Sequence, residues 1–156
     1  MEQLPPDRRA DALEILKGTI DLTLATIRPD GYPQATVVSF AHDALTLYAG
    51  IGLDGQKAHN IRQNNKVSAT ITPPYSDWHH IKGLSIGGVA EFITDEDELQ
   101  LASSRMLSRF PQIQTMMSGT AHLPWAGAVF IRITPKVLSL LDYQQGFGHT
   151  ELYAVS

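Results

Sequence analysis

Lys57 stands at the head of a short helical pattern, directly behind the glycine loop Gly50-Ile-Gly52-Leu-Asp-Gly55-Gln56. Free backbone N–H groups at a helix N-terminus, with an ammonium in the first turn, make a site for one anionic group. A lysine there faces the positive end of the helix dipole, a mild local cost that a bound phosphate monoester offsets through charge-assisted hydrogen bonds. A solvated lysine on an exposed helix face accounts for the same residue without any ligand. The loop also spells the dinucleotide pattern G-x-G-x-x-G. Its context is wrong: the strand before it is the third of an antiparallel meander, and about 20 positions on, where an acidic residue is required, stand Thr72, Pro73 and Pro74. A nucleotide-triphosphate loop fails at Gln56-Lys57-Ala58, which offers no hydroxyl for Mg²⁺. Gly83-Leu-Ser85-Ile-Gly87 has the spacing of a nucleophile elbow, but the chain continues as a strand where a helix should begin. The histidines are His42, His59, His79, His80, His122 and His149; no two have the i, i+4 helical spacing of a zinc site, so no metal is expected.

The elements that must position these groups sit in a chain of 156 residues, a length that points to one domain. Twelve basic against sixteen acidic residues give a net charge of −4, which argues against a nucleic-acid binder. The absence of cysteine removes disulfide, thiol and iron–sulfur chemistry. The N-terminus lacks an apolar leader core and no stretch approaches 18 apolar residues, so a soluble cytoplasmic protein without a membrane partner is expected.

Helices are expected at 7–17, with Asp7 as cap and Ala10, Leu13 and Leu16 on one side, and near 55–64. A third follows Thr94 as cap, with Leu99, Ala102, Met106 and Phe110 on its buried face and Pro111 closing it. Strands are expected at 21–27, 35–42, 45–49, 66–72, 83–94, 128–134 and 136–142, the last two split by Pro135. Glycines within 83–94 point to a bend or a close backbone approach. The segment 116–127 reads as a candidate lid. Short strands with tight turns and few helices imply a mainly β fold, an antiparallel barrel.

Gln56-Lys57-Ala58-His59-Asn60-Ile61-Arg62-Gln63-Asn64-Asn65-Lys66-Val67-Ser68 closely resembles a segment of the pyridoxamine 5'-phosphate oxidase-like family of flavoproteins. LATIRPDGYPQATVVSF (24–40) resembles that family's first hairpin, and Gly88-Val-Ala-Glu91 one of its later strands. The resemblance implies a six- to seven-stranded split β-barrel that dimerises and holds FMN at the dimer interface. It implies that Gln56 and Lys57 hold the FMN phosphate. Thr36, Val37, Val38 and Ser39 would line the flavin ring through their backbone, and Tyr48 and Ala49 would end the neighbouring strand that also touches the cofactor. One of Val37 and Val38 must be a core residue, because adjacent strand residues point oppositely.

The resemblance implies a flavin-dependent oxidoreductase passing hydride or electrons to a small-molecule acceptor. The tail, Asp142-Tyr-Gln-Gln-Gly-Phe-Gly-His149, has no arginine-rich stretch for a second phosphate, so vitamin B6 phosphate is not the expected substrate. Gly55 stands where a serine is common, and its hydroxyl contact with the phosphate is absent. Trp78, Trp125 and Phe147 are candidates to cover the flavin from the partner subunit, each equally placed to be core. Alternatives on the same fold are a haem-binding relative using His149, a deazaflavin-binding relative, and a non-enzymatic flavin-binding or stress protein.

Overall fold

The computed structural model of the chain describes residues 1–116 and 123–156. Seven strands form one antiparallel sheet: β1 (Asp21–Ile27), β2 (Pro33–Asp43), β3 (Thr46–Gly52), β4 (Lys66–Ile71), β5 (Lys82–Phe92), β6 (Ala128–Asp142) and β7 (Thr150–Ala154). The order is β3-β2-β1-β4-β5-β6-β7, and β3 also pairs with β6, closing six strands into a barrel with β7 appended. The fold is therefore the mainly β antiparallel barrel expected. The helices are α1 (Pro6–Lys17), α2 (Gln56–Gln63), α3 (Glu96–Arg109) and α4 (Gln112–Met116). No helix among the described residues is long and apolar enough to cross a membrane.

Alternation fills the barrel. In β4, Val67, Ala69 and Ile71 are buried while Lys66, Ser68 and Thr70 face out. A second apolar cluster lies outside the barrel, where Ala102 and Met106 of α3 and Phe110 just past its end pack on Ala41, Tyr48 and Phe130. Arg109 clips this layer together: it donates to the Phe40 and Leu16 carbonyls and stacks 4.7 Å above the Phe40 ring. It thereby satisfies an otherwise unpaired carbonyl at the end of α1.

Several boundaries differ from those expected. Helix α1 starts at Pro6 behind Pro5, with no side-chain cap from Asp7, because proline at the first position has no N–H to satisfy. Its buried face is Ala12, Ile15 and Leu16; Ala10 is exposed. The cap of α3 is Asp95, whose carboxylate accepts from the Glu98 N–H, rather than Thr94. His79 and His80 lie on a 3₁₀ turn (Trp78–His80) with their rings 5.6 Å apart, between the two expected strands. The tail forms β7, an unexpected strand. Pro135 does not split β6: the register shifts between Gly87 and Gly88, and the bulge absorbs the missing N–H. Of the candidate lid, 117–122 with His122 lie outside the described residues.

His42 gives the fold a pH dependence. Its Nδ1 donates to the Ala44 carbonyl (2.9 Å), while burial, and then the positive charges of Arg109, Lys17 and Arg105, hold its pKa below the usual 6.5. The unfolded chain then binds more protons than the fold, so stability falls as pH drops below about 6.5 and levels off below the folded pKa. Melting temperatures across that window should show this slope in the parent chain and a smaller one in His42→Gln.

Candidate functional site in the barrel split

The barrel is open between β2 and β3. These strands pair only over Phe40–Asp43 against Thr46–Ala49, whereas β2 pairs with β1 along Pro33–Ser39. The Phe40 N–H donates to the Ile20 carbonyl. By strand alternation, the backbone N–H and C=O groups of Val37 and Ser39 therefore face the split, where β3 supplies no partner.

Across the split stand Gly50, Ile51, Gly52 and Lys57. Together with Val37, Val38, Ser39, Met106 and Trp125 they line a groove of about 340 Å³, within the range of small-ligand sites. Gly50 and Gly52, read from the sequence as loop, belong to β3 and pair with Phe130 and Ala128. The absence of a side chain matters at Gly50: a Cβ there would lie 3.4 Å from the Trp125 indole and 3.3 Å from the Phe130 ring.

The loop that delivers Lys57 is fixed by several bonds. Arg62 donates to the Leu53 carbonyl (2.9 Å), the Leu53 N–H to Gly127 (2.8 Å) and the Gly55 N–H to Gly52 (3.1 Å). Gly55 caps α2 without a side chain, so the first-turn N–H groups have no capping acceptor. Beneath them lies Asn60, fully buried. Its Nδ2 donates to Thr26 Oγ1 (3.0 Å) and Gln34 Oε1 (3.1 Å), and its Oδ1 accepts from Gln56 Nε2 (2.7 Å).

Of the expected cofactor residues, Val37, Val38, Ser39 and Lys57 meet at the groove. Val37 is 68% exposed and Val38 buried in the barrel core, the division that alternation requires. The Ser39 hydroxyl donates to Asp21 Oδ1 (2.7 Å), which leaves its backbone as the group offered to a ligand. Thr36 shares the inward parity of Val38, and its buried Oγ1 has no partner among the described residues. Tyr48 and Ala49 are buried in the two cores, and burial raises the Tyr48 phenol pKa. They support the groove floor without lining it. Gln56 is likewise outside the lining, its amide tied down on Asn60.

Trp125 lines the groove of its own chain. Trp78 and Phe147 sit elsewhere, with ring centroids 6.2 Å apart and Phe147 5.2 Å from Tyr143. His149 lies with His80 on a separate cavity of about 420 Å³ beside α1, its Nε2 3.4 Å from Glu151. Among the described residues, no cluster of three or more metal-binding side chains occurs. Sequence reasoning missed Asn60, whose only signal is the i, i+4 spacing to Gln56. It also missed the groove role of Met106, which reads as an ordinary core position on α3.

The groove combines one cation with a free strand edge and flat apolar surface. Lys57 is its only ionisable lining residue and makes no ion pair among the described residues. The free edge of β2 offers alternating donors and acceptors to a heterocycle, and Val37 and Trp125 offer flat apolar surface. The fold is a split antiparallel barrel. Residues 10–140 match the family described as pyridoxamine 5'-phosphate oxidase, and the chain belongs to that family.

Among curated proteins, none matches the chain in sequence. Solved structures share its fold at low identity. A haem-binding protein from Mycobacterium smegmatis is 19% identical with a TM-score of 0.80, over 96% of this chain and 59% of that one, so the chain spans less than two thirds of that protein. The haem storage protein HutZ from Vibrio cholerae is 19% identical with a TM-score of 0.67, over 97% and 94%. General Stress Protein 26 from Bacillus anthracis is 18% identical with a TM-score of 0.67, over 94% and 97%.

Proposed function

We propose that the split binds FMN and that the chain is a flavin-dependent oxidoreductase acting on a small acceptor. The observation that carries this reading is Lys57: among the described residues the one charge on the groove and without a counter-ion, at an uncapped helix start and beside an unpaired strand edge. Lys57 and the first turn of α2 would bind the phosphate dianion. The backbone of Val37 and Ser39 would hydrogen-bond the ring edge, and Val37 and Trp125 would shield its faces from water. Bound flavin supplies reversible hydride and electron transfer, so the chain's work is orientation and exclusion of solvent rather than proton transfer by a carboxylate. Titration with FMN, followed by the absorption spectrum of the separated protein, tests the reading. Retained flavin bands are expected, and a protein that elutes colourless contradicts it.

The site is completed by a second copy of the chain. Val37, Tyr32 and Ile20 leave the outer side of the β1–β2 region apolar and exposed, and a single chain leaves the groove open above Val37. Sedimentation should give a dimer; a monomer that holds FMN tightly contradicts this arrangement.

A haem-binding reading has one observation in its favour: His149 and His80 both line the cavity beside α1, and the proteins similar in fold include a haem-binding and a haem-storage protein. A Soret band on adding haemin, lost in His149→Ala, would favour it over flavin.

A further inference from the structure

Asn60 is the one fully buried polar residue on α2, and nothing in apolar packing requires an amide there. Its helix neighbours Ala58 and Ile61 fill the barrel end as hydrocarbons. A buried carboxamide is costly unless its donors and acceptor are met, and here three bonds meet them. Those bonds join three elements that sequence separation keeps apart. Thr26 lies on β1; Gln34 lies on β2, the strand whose free edge forms one lip of the split; Gln56 is the first residue of α2. The residue after Gln56 is Lys57. The amide thus fixes the rotation and height of the first turn of α2 against the strand that borders the groove. Hydrophobic packing alone specifies such a register poorly, because apolar contacts are non-directional.

We propose that Asn60 is the positioning residue of the anion-binding end of the groove, holding Lys57 and the first-turn N–H groups of α2 in register with β2, with Gln56 serving this clamp rather than touching the ligand's phosphate. The proposal rests on the FMN reading and deepens it. It concerns affinity for the phosphate specifically, since the ring would lie against the Val37–Ser39 stretch of β2 and Trp125, and the clamp bonds none of these residues.

The test compares dissociation constants for FMN and for riboflavin, which lacks the phosphate, in the parent chain, Asn60→Ala, Thr26→Val and Ile61→Val. Thr26→Val removes only the hydroxyl acceptor and keeps the shape, so it carries the test if Asn60→Ala does not fold. Ile61→Val is a control that loosens the same helix without touching the clamp. The riboflavin-to-FMN ratio should fall about tenfold in Asn60→Ala and by a smaller factor in Thr26→Val, as loss of hydrogen bonds of ordinary strength implies. Riboflavin affinity itself, and the ratio in Ile61→Val, should stay unchanged. An unchanged ratio in both clamp variants overturns the proposal, as does an equal fall in Ile61→Val, which would make Asn60 merely structural. A parent chain that binds FMN no better than riboflavin overturns the FMN reading itself, a result distinguishable from either of these.

Discussion

Lys57→Ala should weaken FMN binding by about 1.5–3 kcal/mol, the range for hydrogen bonds to charged groups, or roughly 10- to 150-fold in the dissociation constant. The same substitution should leave the ligand-free protein at least as stable as the parent. Lys57 is half-buried in the first turn of α2 and has no carboxylate beside it, so removing it relieves repulsion from the helix dipole and breaks no ion pair. Affinity is the effect that separates the ligand reading from that of a solvated lysine: removing a lysine that contacts no phosphate would leave the FMN dissociation constant unchanged, whereas relief from the helix dipole is expected in either case. Lys57→Arg should recover part of the affinity, because the charge persists while the donor geometry differs. Calorimetric titration and thermal melts of the three proteins check all of this.

Gly88→Ala should cost about 1–3 kcal/mol of stability, the usual range for overpacking. A Cβ at Gly88 would lie 2.6 Å from the Thr134 carbonyl oxygen and 3.2 Å from its carbon. These are backbone atoms of β6, and they cannot swing aside as a side-chain tip would. The clash also falls on the bulge that lets Pro135 sit inside a continuous β6, so relief would have to shift the longest strand pair in the barrel. Gly87 is the control one residue away: a Cβ there meets only Val137 at 3.9 Å, ordinary contact. Denaturant melts should show a large loss for Gly88→Ala and a small one for Gly87→Ala. Equal effects at the two positions would contradict the account of the bulge.

What the sequence made legible was local. The alternation of Val67, Ala69 and Ile71 reads as a half-buried strand and folds as one. The spacing of Ala102, Met106 and Phe110 reads as a helix face and is the face that packs. The glycines of 83–94 read as a close approach, and Gly88 makes one. The site was legible only in part, because it is built from a missing interaction. Where β2 leaves β3 depends on registers set by β1 and β6, and no local pattern in Val37-Val38-Ser39 announces that its edge goes unpaired. Gly50 and Gly52 look like loop residues until β6 pairs with them. Asn60 looks like a surface residue of a polar helix until Thr26 and Gln34, some thirty positions earlier, close around it. Tyr48 and Ala49 have the right neighbourhood but the wrong exposure, since the same strand that borders the groove also floors the core. Strand β7 was hidden by its glycine-rich approach and by the exposed residues of an edge position.

In a crystal structure of the protein grown with FMN, the phosphate should lie against Lys57 Nζ and the first-turn N–H groups of α2, with the ring along the backbone of Val37 and Ser39. A phosphate bound away from α2, or a ring seated outside the gap between β2 and β3, would contradict this placement.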